Sequence, residues 1–434
     1  MPGHGNPGYS VDRYDLDLDY RVATNALAGV ATIAATVHAD QGPLKSLTLD
    51  LVGLEVQKVL VDGVAPTRFR SSTGKLRITP AHPLAPGTAF TIDVTYRGAP
   101  RPLTGRWGEV GWEELADGVL VAGEPDGAPT WFPCNDHPSD KAPYQIAVTT
   151  ESPYTVVANG SLTERRVGAS RTRWVYEQVE PMATYLATVQ IGQYELLDVA
   201  GSPVPQRAAV PASLGPRFHT DFERQPQMIE LFERCFGPYP FASYTVVVTE
   251  DDLEIPLEAQ GLSIFGANHV DGHRSEERMV AHELAHQWFG NSLTPRRWRD
   301  VWLNEGFACY AEWLWSEAGG GPSADAMARR WWKKLHDLPQ DLVISEPGPD
   351  RLFDDRLYKR GALTLHALRL TVGDPAFFTL MQRWTSENRH GSVTTEDFVA
   401  IAGEKPLLET WLRHSSLPNL PDPPPEVPGP GLRR

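Results

Sequence analysis

The chain has 434 residues, 41% of them hydrophobic, with 40 basic against 55 acidic side chains and a formal net charge of −15. That length sets a prior of about two to three domains, each able to bury a core, and the acidic balance, with no Lys/Arg-rich run to offset it, excludes nucleic acid and anionic membranes as natural partners. Three scattered cysteines, Cys134, Cys235 and Cys309, form no CxxC pair, and with neither a leader pattern in "MPGHGNPGYSVDRYDLDLDY" nor an apolar window of roughly 18 residues they predict a cytoplasmic protein.

Residues 1–199 read as short alternating runs between turn residues: "YDLDLDY", "GVATIAATV", "SLTLDLVG", "VQKVLVDG", "KLRIT", "FTIDVTYRG", "YQIAVTT", "YTVVANGSL", "TRWVYEQV" and "TYLATVQIGQYELL". Strand-length runs at this spacing predict an N-terminal all-β sandwich. The Pro- and Gly-bearing stretch "VAGSPVPQRAAVPASLGP" then places the first boundary near residue 200. Beyond it the pattern is helical over 217–235, 275–290, 304–317, 323–337, 357–372 and 375–387, with a few strands such as "YTVVVTE". The second domain is expected to span 200–416. The segment 417–434, "LPNLPDPPPEVPGPGLRR", is too proline-rich to pack a core and reads as a disordered tail.

"VAHELAHQWFG" carries His282 and His286 four residues apart on a segment free of helix breakers. Four residues advance a helix by about 40° past a full turn and about 6 Å, so both imidazoles face one way and can share a metal. Glu283, the next residue round, can then approach a water on that metal without being a ligand. These five residues alone also suit a helix with satisfied histidines. The second piece is "WLNEGFACYAEW": a catalytic zinc site needs a third protein ligand, and Glu305, nineteen residues after His286, can supply it. Glu312, seven residues further on the same face, can accept the N–H of a ligand imidazole.

With these residues the sequence resembles the zinc aminopeptidases of the gluzincin type, the family of aminopeptidase N and leukotriene hydrolase. "HELAHQWFGN" and "WLNEGFA" match its two signatures at the family's spacing. "YDLDL" near the start, "WFPCNDHPSDKAPY" at 131–144, "LYKRGA" at 357–362 and "TTEDFVAIAGEKPLLETWL" at 394–412 follow in the family's order. The resemblance implies a multi-domain α+β protein: a saddle-like N-terminal β-sandwich, then a thermolysin-like, mainly helical zinc domain.

It also implies roles. His282, His286 and Glu305 look like the ligands of one Zn2+ per chain, and Glu283 like the general base. Tyr358 in "LYKRGA" matches the tyrosine that stabilises the oxyanion; from composition alone it would be read as a core tyrosine. "IPLEAQGL" resembles the family's substrate-lining loop, with Glu258 as the anchor for a free α-amino group and Gly261 following. Glu124, nine residues before Pro133, matches a second anchor from the first domain. The expected substrates are peptides with a free amino terminus. Ile255, Pro256 and Ala259 depart from the family loop, and Pro256 removes a backbone N–H. His137 stands where the family often has glutamate, without an assignable role. The chain stops where the family's catalytic domain ends, so the cleft is expected to be open or covered by a second subunit in a homo-oligomer.

Cys134 and Cys309 read as small buried hydrophobes, His366 as a core histidine, and Trp302, Trp313, Trp315, Trp331 and Trp332 as packing. The rival functions are a zinc endopeptidase, a zinc hydrolase of another electrophile such as an epoxide, and a non-catalytic binding scaffold. Retention of His282, Glu283, His286, Glu305 and Tyr358 together speaks against the scaffold.

Overall fold

The computed structural model describes residues 4–106 and 108–422. In the strand Tyr9–Arg21, alternation from Arg13 onward, past an irregularity between Val11 and Arg13, turns Tyr14, Leu16, Leu18 and Tyr20 inward, each at most 1% exposed, because successive side chains of a strand point to opposite faces. This strand is central in a seven-stranded sheet ordered 161–167, 171–182, 142–151, 9–21, 26–37, 89–98, 55–61. It runs parallel to Ala142–Glu151 and antiparallel to Ala26–Val37.

A five-stranded sheet, ordered 155–158, 189–192, 118–122, 108–115, 103–105, and a three-stranded one, ordered 47–50, 75–79, 68–72, complete the β-rich N-terminal domain. The layers interdigitate: Tyr20 from the large sheet meets Trp112 from the five-stranded one edge to face, centroids 4.9 Å apart. The strands 68–72, 103–105, 108–115 and 118–122 lie outside the runs picked out from the sequence, since "RFRSS" is exposed throughout and "GEVGWEEL" does not alternate.

The second domain is built on a mixed five-stranded sheet ordered 194–199, 206–211, 244–248, 262–265, 257–259. Its first hairpin pairs Tyr194–Val199 with Gln206–Pro211, so the boundary expected between 199 and 200 falls at a hairpin loop and the catalytic sheet takes up its first strand before it. The Pro/Gly stretch marks a turn within a sheet here. Leu257–Ala259, which carries Glu258, is the edge strand.

Nine α-helices follow among the described residues: α1 (Gly215–Phe222), α2 (Gln225–Phe236), α3 (Glu277–Ala285), α4 (Trp302–Ala318), α5 (Ala324–His336), α6 (Asp355–Val372), α7 (Asp374–Glu387), α8 (Thr395–Ala402) and α9 (Lys405–Arg413). The single helix expected over 217–235 is two, because Pro226 sits in the first turn of α2 and proline is accommodated at a helix start but not inside one. The helix expected to reach residue 290 ends at Ala285 with His286 as its C-cap, as Gln287 and Trp288 shift to bonds three residues back. Helices α8 and α9 lie in a segment quoted above only for its family likeness. α8 opens on a capping box between Thr394 and Asp397.

Of the segment expected to be a tail, residues 417–422 lie against the helices: Leu417 N–H donates to Gln340 and the Trp332 indole to Pro418 O, at 2.8 and 2.7 Å. Residues 423–434 lie outside the described residues. No helix among the described residues is long and apolar enough to cross a membrane.

Candidate active site

Helix α3 buries His282 and Glu283, and its C-cap buries His286, all at most 6% exposed. One turn of spacing turns both imidazole Nε2 atoms toward Glu305 of α4: His282 Nε2 lies 3.5 Å and His286 Nε2 3.8 Å from Glu305 Oε2. The opposite ring nitrogens are held. His282 Nδ1 is 2.7 Å from Glu312 Oε1, and His286 Nδ1 meets Asn304 Oδ1 and, at 3.2 Å, Phe289 O. Nδ1–H bonds to a carboxylate and to carbonyl oxygens leave both Nε2 lone pairs free for a metal.

The set fits zinc. A tetrahedral ion with bonds of about 2.0–2.1 Å needs its ligand atoms about 3.3 Å apart, close to the separations found. Charge agrees. Burial, and then the neighbouring Glu258, push the Glu305 and Glu283 carboxyls well above their ordinary values, a load that a divalent cation relieves. Glu283 Oε2, in a side chain 2% exposed, has no hydrogen-bond partner among the described residues.

Behind His282, burial pushes the Glu312 carboxyl up, but the His282 hydrogen bond and the charges of Lys359 and Arg278 outweigh it and hold it at about 2. Arg278 Nη1 donates to the same Oε1 at 3.0 Å. Burial likewise drives the His282 imidazole down to about 4, so the ring is neutral, the form that ligates.

The edge strand brings Glu258 to the trio, its Oε1 4.0 Å from His286 Nε2. Glu124 arrives from the N-terminal domain, two residues past strand Gly118–Ala122. One oxygen each from Glu124, Glu258 and Glu305 lie within 4.8 Å of one another. The Glu124 and Glu258 carboxyls are close enough to shift one another. Burial and the Glu258 charge raise Glu124, while His286, Asn304 and Glu124 overcome burial to lower Glu258. Glu124 is therefore the more readily protonated of the two. No lysine or arginine among the described residues pairs with either carboxylate.

Tyr358, in the first turns of α6, is half-buried with its ring stacked 6.3 Å from that of His282. Burial first, then the Glu305, Glu124, Glu258 and Glu283 charges, raise its hydroxyl well above the ordinary value, so it keeps its proton as a donor. Gly261, at φ +79°, directs its N–H to Gln287 Oε1 at 2.8 Å, tying the loop of 255–262 to the turn after α3. Ile255 is 60% exposed at the loop's outer end.

Two residues of the site escaped the sequence reading. Asn304 takes His286 Nδ1 on Oδ1 and directs Nδ2 to Glu258 Oε1 and Glu305 Oε1, both at 3.3 Å. Gly290, at φ +107°, makes room for it: a Cβ there would stand 2.2 Å from Asn304 Oδ1. Gln287 binds the loop from below through Ala259 O, Leu262 O and Gly261 N. The signal for both was adjacency to a ligand, in "LNEG" and "AHQW". His137 stays apart, bonded to Ser139, and His366 is buried between Tyr310 and Asp325. The three cysteines are buried free thiols.

A histidine pair on one helix, a glutamate from the next, and a β-domain delivering a carboxylate across an edge strand define the class of the gluzincin zinc metallopeptidases. The chain belongs to peptidase family M1: the Peptidase M1 N-terminal domain matches residues 10–186 and the Peptidase family M1 domain residues 220–411. The M1 zinc metallopeptidase of Deinococcus radiodurans is 30% identical, with a TM-score of 0.87 and 98% of each chain covered. A mutant of it bound to a Tyr-Ser-Ala substrate superposes with a TM-score of 0.88 at 31% identity over 98% of each chain. Among curated relatives, the leucyl aminopeptidase of Saccharolobus solfataricus is 24% identical over 94% of this chain, and the tricorn protease-interacting factor F2 of Thermoplasma acidophilum 25% over 95%. The chain spans about half of these two relatives, 54% of each.

Proposed function

We propose that this chain is a zinc-dependent aminopeptidase of the cytoplasm that removes residues from the free amino terminus of peptides. One zinc ion per chain would be held by His282, His286 and Glu305, with Glu312 orienting His282. Bound zinc supplies a Lewis acid that acidifies a water and polarises the scissile carbonyl. Glu283, whose free Oε2 is buried beside the trio, takes the proton of the attacking water and delivers it to the leaving amine. The Tyr358 hydroxyl donates to the oxygen of the scissile carbonyl as charge develops there. Glu258 and Glu124 receive the substrate's ammonium group, and the loop through Gly261 lies along its backbone.

The observation that carries the reading is the Glu124–Glu258 pair: two carboxyls beside the metal-ligand trio with no lysine or arginine paired to them among the described residues. Such a pair favours a ligand that brings a positive charge and rejects one that leaves it unpaired. The leucyl aminopeptidase and the peptide-bound Deinococcus enzyme support it. The test is turnover of free-amine aminoacyl amides beside their N-acetylated twins, with and without chelator. Chelator-sensitive cleavage of the free amines alone is expected. Equal cleavage of both removes the amine anchor and favours an endopeptidase, and no cleavage with zinc bound favours a scaffold.

A further inference from the structure

Three successive residues of α6 face three different parts of the molecule. Tyr358 looks to the metal-ligand trio and Lys359 lies among Glu312, Cys309 and Trp331. Arg360, two residues and so about 200° round the helix from Tyr358, points the opposite way. It is 4% exposed and donates to five main-chain carbonyls: Leu342, Trp411, His414, Ser415 and Ser416. No carboxylate among the described residues pairs with it, and burial pushes its guanidinium down to about 10. A cation this buried is costly unless its N–H groups are used. Here they are used on the C-terminal end of α9, where the last carbonyls have no helical partner and the helix dipole is negative.

The segment after α9 is itself pinned further out, by Trp332 Nε1 to Pro418 O and Leu417 N to Gln340 Oε1. Leu417 and Leu420 pack against the core. The first turn of α6 is held from the solvent side by its Asp354 cap and by Arg356, which reaches Asp354, Pro339 O and Asp341, all at the surface end of the helix. A helix's first turn is where it frays, and Tyr358 stands there.

We propose that Arg360 is a positioning residue for catalysis: by clamping α6 to the end of α9 and to the strap 414–418, it fixes the first turns of α6 so that the Tyr358 hydroxyl stands over the metal-ligand trio. The proposal rests on the oxyanion role given to Tyr358 above. A misplacement of about 1 Å from a change remote from the chemistry can cost about a hundredfold in rate, and a single oxyanion donor is worth about a hundred- to thousandfold in kcat. If Arg360 acts through Tyr358, its loss can take no more than the loss of Tyr358 itself.

The test uses the full chain as Arg360→Gln, Arg360→Lys, Tyr358→Phe and the double variant Y358F/R360Q, with kcat, KM and zinc content measured for each. Expected for R360Q is a fall in kcat of about tenfold or more, with KM within about twofold and zinc retained. R360K should recover part of the loss, and the double variant should be no slower than Y358F. Wild-type kcat in R360Q, a loss that multiplies in full with that of Y358F, or a fall explained by KM or zinc would overturn the proposal. Should R360Q not fold, Trp332→Phe with Gln340→Leu frees the outer end of the strap without stranding a charge, and the same pattern at smaller amplitude is required. An unimpaired Y358F would remove the role of Tyr358 instead, an outcome read from a different variant.

Discussion

Gly306 and Gly361 meet where α4 crosses α6: a Cβ on Gly306 would stand 2.8 Å from the Gly361 Cα, and one on Gly361 2.7 Å from that of Gly306. Each is next to a residue of the site, Glu305 on one helix and the Tyr358–Arg360 turn on the other. The close approach of backbones therefore sets the distance between Glu305 and Tyr358. Gly306→Ala has only backbone to push against, and overpacking of this kind costs about 1–3 kcal/mol. A lowered Tm and reduced zinc retention on dialysis are expected together. A variant with wild-type Tm and zinc content would show that the helices part without disturbing the site.

Glu312 gives the second prediction. It accepts from His282 and Arg278 and stays ionised between Arg278 and Lys359. Glu312→Gln keeps the shape and removes the charge, so His282 loses its oriented, basic character. Zinc affinity, measured by competition with a chromogenic chelator, is expected to fall by about ten- to a hundredfold. An unchanged affinity would reduce Glu312 to a partner of Arg278 alone.

What the sequence made legible follows from what each signal depends on. His282, His286 and Glu305 were readable because helix periodicity and ligand chemistry are local rules, and these three are brought together in space. Glu258 and Glu124 were readable only through family likeness, since nothing local says that a lone glutamate in "IPLEAQGL" meets one from the other domain. Asn304 and Gln287 act through contacts across elements and had no pattern of their own. The strand 118–122 that delivers Glu124 was overlooked because it is buried on both faces and does not alternate. The boundary expected near 200 falls at a hairpin of the second domain's sheet for the reverse reason: Pro and Gly mark turns, and a turn inside a sheet looks like a linker.

The Glu124–Glu258 pair leads to a third prediction. On the function proposed above, the two carboxylates together receive a substrate ammonium. Glu258→Gln leaves the ammonium one weak partner and removes the lowered, charged member of the pair. Losing a charge-assisted contact in a buried site costs about 2 kcal/mol or more, which is about thirtyfold in kcat/KM for free-amine substrates. Glu124→Gln should cost less, because burial and the Glu258 charge already favour the neutral form of Glu124. N-acetylated substrates should lose nothing in either variant. Equal losses for free and acetylated twins would mean the glutamates hold the metal site together instead of binding the amine.

Lys141 gives a prediction about pH. It stands just before strand Ala142–Glu151, and its ammonium donates to Asn291 O, Ser292 O and Gly391 O at 3.0, 2.9 and 3.4 Å, fastening the N-terminal domain to the turn after α3. Burial pushes it down from 10.5 to about 7. Between these values the unfolded chain holds a proton that the folded one has released, so the Lys141 contribution to stability rises with pH across that window. The gain is at most about 1.4 kcal/mol per pH unit, and the three carbonyls, which favour the charged amine, reduce it. Urea unfolding of wild type and Lys141→Met should therefore differ by an amount that shifts in favour of wild type from pH 7 toward pH 10. Below pH 7 both states of the wild type carry the proton, and the difference should level off. A difference flat across the whole range would show that the carbonyl cage keeps the amine charged, and the fastening would then be an ion–dipole contact insensitive to pH.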